Sequence, residues 1–211
     1  TDLIALVEQL GGPAVLVGNS MGGLVCVLVA ARRPDLIASL LLISPAMPRL
    51  VGLPREARLL GILALPRLGE RLVARDLATP PEAAVRRLSE VLFGEPERIA
   101  PEWLELATEE RRFRATTPHA APAFLGSLRS IVGAFARPRR LSAWREARHL
   151  SMPVTVVYGG RDKLVPSAAD LWRSAVPHVR VFHLPTSGHV AMMERPHLVA
   201  EIVREHLAQL D

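Results

Sequence analysis

The sequence has little of several residue types that would mark a specialised class of protein. It contains a single cysteine among 211 residues, so a disulfide scaffold is excluded. That residue, Cys26, lies in the apolar run LVCVLVAA, where we expect it to be a small core residue. Low-complexity tracts and tandem repeats are absent and 49% of the residues are apolar, which favours an ordered globular fold.

Lysine is almost missing as well, since Lys163 is the only one and the remaining basic charge is arginine. The formal net charge is +5. A nucleic-acid-binding surface would need these charges in one stripe with aromatic residues between them. The arginines are instead scattered over separate segments that also carry acidic residues. We interpret them as solvated helix faces and expect no nucleic-acid partner.

Charge of either sign is absent from residues 11–31, a stretch long enough to span a bilayer. Pro13 and the cluster GNSMGG (residues 18–23) divide it into a short β-branched run and a helix-like run. A buried strand followed by a buried helix fits this pattern better than a membrane span. No signal peptide is visible at Thr1, and we expect a cytoplasmic protein.

Apolar runs and turn residues predict alternating helices and strands at both ends of the chain. TDLIALVEQLGG is a predicted amphipathic helix, followed by strand PAVLVGNS, helix MGGLVCVLVAARRPD and strand IASLLLISP. After residue 150 the same alternation returns as strand MPVTVVYGG, helix SAADLWRSAV, strand VRVFHLP and final helix RPHLVAEIVREHLAQL. Strands joined by helices predict an α/β fold with a parallel sheet flanked by helices.

Prolines recur between residues 46 and 150 and separate short amphipathic segments such as PEAAVRRLSEVLF and PEWLELATEERRF. This composition predicts a set of short helices inserted between two strands. We therefore expect residues 1–45 and 151–211 to form the core that carries the sheet, and residues 46–150 to form a helical cap. Apolar residues of this cap would cover an apolar pocket, or would pack the cap on the sheet.

The sequence GNSMG (residues 18–22) is a Gly-x-Ser-x-Gly motif between a predicted strand and a predicted helix. A turn this tight forces the serine into a strained backbone conformation, and the flanking glycines avoid clashes with neighbouring backbone. The Ser20 hydroxyl would project from the carboxyl end of the strand, near free N–H groups that favour developing negative charge. Ser20 is thus a candidate nucleophile. The alternative is a small residue at a tight turn.

A serine nucleophile needs a base, and the base needs an orienting carboxylate. Among seven histidines, only His189 lies in a loop after a buried strand at the same predicted sheet edge as Ser20. We interpret the other histidines as ordinary surface or helix residues. Asp162 follows the preceding strand, where it is either the orienting acid or a cap of the next helix, whereas Asp170 is expected on that helix. The order Ser, Asp, His is the order of nucleophile-elbow hydrolases.

The stretches GNSMGG, GGRDKLVP, SGHVAMMERP and ARRPDLIASLLLISP resemble the α/β-hydrolase superfamily, of the bacterial type with a serine nucleophile and a helical cap. The resemblance implies Ser20 as nucleophile, His189 as general base and acid, and Asp162 as orienting acid. It also implies the Met21 backbone N–H as one oxyanion donor. No cofactor or metal is expected, and the partner would be a small-molecule substrate. Substrate-lining positions are expected at Asn19, Val165 and Val190.

The resemblance also implies strands that this chain lacks. In the family the elbow strand is normally the fifth of eight, and a second oxyanion N–H comes from a loop after the third strand. We therefore expect the C-terminal part of the fold, in which residues 14–18 form an unpaired apolar edge prone to aggregation. The 211-residue chain alone is expected to be inactive or poorly folded.

The sequence predicts a hydrolase that acts through an acyl-enzyme, on carboxylic esters of small or medium apolar acyl groups. Two alternatives stay open. A carbon–carbon bond hydrolase of the ring-cleavage type shares the fold and a similar GNSMGG sequence. Such enzymes tend to carry an aromatic residue soon after the histidine, where this chain has Val190, Ala191 and Met192. A non-catalytic ligand-binding protein on a hydrolase scaffold would usually show a broken triad.

Overall fold

The structure is a computed structural model that describes residues 2–49, 52–136, 138 and 142–210. The first elements are α1 (Asp2–Gln9), β1 (Ala14–Asn19), α2 (Met21–Arg32) and β2 (Ile37–Ile43). The helices that follow are α3 (Arg55–Leu63), α4 (Leu68–Leu77), α5 (Pro81–Leu92), α6 (Pro101–Thr116), α7 (Ala120–Phe135) and α8 (Ala143–Ala147). The last elements are β3 (Val154–Gly159), α9 (Ala169–Ala175), β4 (Arg180–Leu184), α10 (Ala191–Glu194) and α11 (Pro196–Leu207).

The described strands form one parallel sheet in the order β1-β2-β3-β4. Because all of them run in the same direction, their carboxyl ends lie along one edge and the segments after each strand meet there. The predicted α/β fold with a parallel sheet flanked by helices is confirmed. Within the described residues β1 pairs only with β2, so β1 is an edge strand as expected.

The central strands are buried on both faces because they are nearly continuous apolar runs. Side chains alternate between the faces of a strand. In β2, Leu40 and Leu42 pack in the core that contains α2, whereas Leu41 and Ile43 pack with the apolar face of α11. Cys26 is buried in the first of these cores, as expected, and burial raises the pKa of its thiol to about 11.

The helices α3 to α8 lie between β2 and β3 in the chain, where the sequence predicts an insertion. Arginines join several of them: Arg129 of α7 donates to Glu70 of α4 at 2.7 Å, and Arg111 of α6 donates to Asp76 of α4 at 2.6 Å. The alanines of α8 belong to the core beside α2. The division into a core at 1–45 and 151–211 and a cap at 46–150 stays a prediction.

His206 lies on α11, as expected of a helix residue, but it does not lie at the surface. Its side chain is buried, with Nδ1 2.8 Å from Thr155 Oγ1 and Nε2 2.9 Å from Ser39 Oγ. Desolvation, assisted by the charge of Arg180, lowers the pKa of His206 below its ordinary value. The sequence carried a signal for this, because residue 206 continues the apolar stripe formed by Val199 and Ile202.

The sequence predicts a final helix at residues 195–210, and the structure has α11 there, at Pro196–Leu207. The short helix α10 falls in a segment expected to be a loop, and Pro196 begins α11 in the first helical turn, where proline is tolerated. No helix in the described ranges has the length and apolar character required to cross a membrane.

Candidate active site

Ser20 lies at the turn between β1 and α2, at the carboxyl edge of the sheet. Its φ of 53° and ψ of −118° are strained for a residue with a side chain, as the motif predicts. Its backbone N–H donates to Ile43 O at 3.0 Å, and its carbonyl accepts the Ala46 N–H at 2.9 Å. These bonds tie the turn to the end of β2, so its neighbours hold the strained conformation. The Ser20 hydroxyl makes no capping bond to α2.

The glycines around Ser20 are crowded to different degrees. A Cβ on Gly18 would lie 2.8 Å from Cys26 Sγ, and one on Gly23 would lie 2.8 Å from Pro45 Cβ. A Cβ on Gly22 would meet no described atom within 4 Å. The prediction that both motif glycines avoid clashes is therefore correct for Gly18 and wrong for Gly22. Gly23, the next residue along the chain, has the close neighbour.

Asp162 lies in the turn after β3, and its side chain is 1% exposed. Its Oδ1 accepts the backbone N–H groups of Leu164 at 2.8 Å and Val165 at 2.9 Å, which fixes the carboxylate. Because α9 begins only at Ala169, Asp162 does not cap that helix. Asp170 lies exposed on α9 as predicted, 3.6 Å from Arg173.

His189 lies in the loop between β4 and α10 and is buried. Its Nδ1 is 2.9 Å from Oδ2 of Asp162, the carboxylate oxygen that the backbone leaves free. A carboxylate at Nδ1 favours the tautomer with the proton on that nitrogen and leaves Nε2 as an acceptor. Two residues that the sequence placed in separate loops are thus in direct contact.

Asn19 connects the serine turn to the histidine loop. Its Nδ2 donates to Ile43 O at 3.0 Å and to His189 O at 3.1 Å. Since both partners are carbonyl oxygens, the amide nitrogen must face them. The residue next to Ser20 is therefore bonded to His189. In the described residues no hydrogen bond joins Ser20 Oγ to the His189 ring, a contact that often forms only when substrate is bound.

The remaining candidate residues have different surroundings. Val165 lines a small cavity of about 30 Å³ that is also bounded by Ala46, a direct hydrogen-bond partner of Ser20. Val190 is buried just before α10. Met21 is the first residue of α2, so its N–H belongs to the helical turn whose donors have no carbonyl partner within the helix. The Asn19 amide is bonded to backbone. Contacts of these four residues with substrate stay predictions.

Sequence reasoning missed Glu194, which the structure brings to the histidine loop. Its Oε1 accepts the Gly188 N–H at 2.6 Å, and its Oε2 accepts the Gly94 N–H at 2.8 Å. The backbones meet closely here, since a Cβ on Gly188 would lie 2.6 Å from Gly94 N. An acid five residues after His189 is visible in SGHVAMMERP. Its partner Gly94 is 100 residues away, so the pattern alone could not indicate the contact.

Comparison with known proteins assigns the chain to a family. The family described as the alpha/beta hydrolase family matches residues 1–202. A pimeloyl-acyl-carrier-protein methyl ester esterase of Aromatoleum aromaticum is 28% identical over 207 residues, covering 95% of this chain and 78% of that protein. An esterase of Mycobacterium tuberculosis is 30% identical over 211 residues, covering 93% of this chain and 61% of that protein. The chain thus spans less than two thirds of the second relative.

Solved structures agree at the level of the fold. The crystal structure of Cfl2 from Burkholderia cenocepacia has a TM-score of 0.77 at 21% identity, covering 96% of this chain and 68% of that one. A 2-hydroxy-6-oxo-6-phenylhexa-2,4-dienoate hydrolase from a Rhodococcus strain has a TM-score of 0.69 at 23% identity. The match covers 92% of this chain and 64% of that one. At such identities the likeness shows the fold alone. With the family match over nearly its whole length, the chain belongs to the alpha/beta hydrolase family.

Proposed function

We propose that the protein is a serine hydrolase that cleaves carboxylic esters through an acyl-enzyme on Ser20. The observation that carries the proposal is the buried pair of His189 and Asp162, 2.9 Å apart at the sheet edge where Ser20 lies in its strained turn. Serine becomes a strong nucleophile only when an oriented base can take its proton. Membership of a hydrolase family and the esterase names of two relatives support this reaction class.

In the acylation half of the proposed reaction, Ser20 Oγ attacks the ester carbonyl carbon while His189 Nε2 takes the hydroxyl proton. Asp162, hydrogen-bonded at Nδ1, stabilises the imidazolium that forms. The Met21 N–H at the start of α2 donates to the oxyanion of the tetrahedral intermediate. His189 then gives its proton to the leaving alkoxide, and the alcohol departs.

In the deacylation half, the same groups act on water. His189 takes a proton from a water molecule while the oxygen of that water attacks the acyl carbon of the ester formed on Ser20. Collapse of the second tetrahedral intermediate breaks the bond to Ser20 Oγ, which recovers the proton from His189. The products are a carboxylic acid and an alcohol. The enzyme returns to its starting state.

We infer that the substrate carries a small or medium apolar acyl group and that the helices inserted after β2 cover it as a cap. Large apolar side chains of α3, α4, α7 and the turn after α3 are 40–50% exposed, which would suit contact with an apolar ligand. Two relatives are named as esterases, which fits an ester as substrate. These side chains are Leu59, Ile62, Leu65, Leu68 and Phe124.

The test is labelling of the full-length protein with a fluorophosphonate probe, followed by turnover of p-nitrophenyl esters of increasing chain length. We expect the label on Ser20, and a fall in kcat of roughly 10⁶-fold in Ser20→Ala, the size of effect seen when a hydrolase loses its nucleophile. The variant Ser130→Ala, which changes an exposed serine of α7, should keep both activities. An unlabelled and inactive wild type would instead favour a ligand-binding protein, whereas turnover retained in Ser20→Ala would contradict Ser20 as the nucleophile.

A further inference from the structure

The carboxylate of Glu194 makes two hydrogen bonds that the proposed reaction does not use. Both partners are backbone N–H groups: that of Gly188, immediately before His189, and that of Gly94, just after α5. The two bonds are short, at 2.6 and 2.8 Å, as expected when the acceptor is charged. One side chain thus joins the histidine loop to the end of α5.

Both backbone polar groups of His189 are bonded to distant parts of the chain. Its N–H donates to Leu92 O at 2.7 Å, and its carbonyl accepts from the Asn19 amide at 3.1 Å. Glu194 fixes the preceding peptide through Gly188. The position of the His189 imidazole relative to Ser20 therefore depends on bonds to the end of α5 and to α10 as well as on the carboxylate of Asp162.

Residues 92–95 are bonded to both loops that carry the proposed base and acid. Arg195 donates to Glu95 and, at 3.1 Å, to Thr186 in the histidine loop. Arg161, next to Asp162, donates to Gly94 O at 3.2 Å. The end of α5, which lies in the inserted helices, is thus fixed to the catalytic loops by charged side chains.

A carboxylate is the side chain that this arrangement requires. Two N–H donors face two oxygens, so both acceptors must be present at the same time. Glutamine would present one oxygen and one NH₂ group, and the NH₂ would face an N–H donor. Aspartate is one methylene shorter and cannot reach both partners. The change from glutamate to glutamine is therefore a nearly isosteric way to remove one of the two bonds.

We propose that Glu194 is a positioning residue for His189, which holds the histidine loop against the end of α5 and so links the inserted helices to the catalytic base. This inference rests on the proposed function, since it assigns a consequence to the position of His189. A displacement of a catalytic group by about 1 Å can cost ~10²-fold in rate. Loss of the two Glu194 hydrogen bonds is expected to lower kcat and to leave KM nearly unchanged, because both carboxylate oxygens are bonded to backbone N–H groups and not directed at substrate.

The experiment compares Glu194→Gln with wild type in the full-length protein, with active sites counted by fluorophosphonate titration. We expect kcat per titrated site to fall roughly 10- to 100-fold, with KM within about twofold, and the rate of labelling at Ser20 to fall in parallel. Glu201→Gln changes an exposed glutamate on the neighbouring helix α11 and should behave as wild type. Unchanged kcat per site with a lower Tm would show a purely structural role and overturn the inference, as would a change confined to KM.

A second variant serves if Glu194→Gln fails to fold. Glu95→Gln weakens the bonds from Arg195 and Arg161 to the same segment without touching Gly188, and it should lower kcat per site in the same direction by a smaller factor. Wild-type kcat in this variant would count against the link between α5 and His189.

The parallel Ser20→Ala measurement separates the two proposals. Turnover in Ser20→Ala overturns both, whereas an inactive Ser20→Ala beside fully active Glu194→Gln overturns only the positioning role.

Discussion

At the scale of single residues, two buried histidines differ in the hydrogen-bond partners of their rings. The Nδ1 atom of His189 faces the Asp162 carboxylate at 2.9 Å. His206 faces two hydroxyls, Thr155 Oγ1 and Ser39 Oγ, which can satisfy one donor and one acceptor nitrogen of a neutral ring. A protonated His206 would have no counter-charge among these partners. His189 thus has a carboxylate as its ring partner, whereas the ring partners of His206 are neutral hydroxyls.

The lowered pKa of His206 predicts a loss of stability in mild acid. Below pH 6.5, the ordinary pKa of histidine, His206 binds a proton in the unfolded chain but not yet in the folded chain. The free energy of unfolding therefore falls as the pH decreases from neutral toward the folded-state pKa. Urea unfolding at about pH 7.5 and about pH 5.5 should show this loss. In His206→Gln we expect stability at neutral pH to be lower by about 1 to 3 kcal/mol, with a smaller loss on acidification.

A histidine on the same helix provides the control for this measurement. His197 is exposed near the start of α11, so His197→Gln should lose as much stability on acidification as wild type does. Equal pH dependence in wild type and His206→Gln would show that His206 does not contribute to acid sensitivity.

At the scale of one element, the strand-turn-helix unit around Ser20 predicts unequal tolerance of its glycines. Gly23→Ala places a Cβ 2.8 Å from Pro45 Cβ, and relieving this overlap should cost about 1 to 3 kcal/mol of unfolding free energy. Gly22→Ala meets no described atom within 4 Å and replaces glycine in a helix, where alanine is better by up to about 1 kcal/mol. Chemical denaturation of both variants measures the difference. Similar destabilisation of the two would contradict the packing seen at the turn.

At the scale of the whole molecule, the order of strands and helices and the sheet edge that carries Ser20, Asp162 and His189 could be predicted from the sequence. Buried parallel strands are recognisable as apolar runs, and the segments after them share one edge whatever their distance in the chain. The contacts that could not be predicted depend on which backbone segments pack against each other. The contact of Glu194 with Gly94, like the crowding at Gly23 instead of Gly22, arises from packing between segments that carries no local pattern.

The exposed edge of the sheet leads to a prediction about self-association of the 211-residue chain. Within the described residues β1 has a paired neighbour on one side only, and its Val17 side chain is 55% exposed. An apolar edge strand can pair with another copy.

Burying one valine there contributes about 1.5 kcal/mol, or roughly tenfold in association constant. Val17→Lys should therefore weaken concentration-dependent association in sedimentation velocity by roughly that factor, because lysine on an edge opposes pairing. Leu106→Lys removes an apolar side chain that is 65% exposed on α6 and should leave association unchanged. If both lysine variants reduced association equally, general surface hydrophobicity and not the edge of β1 would be its cause.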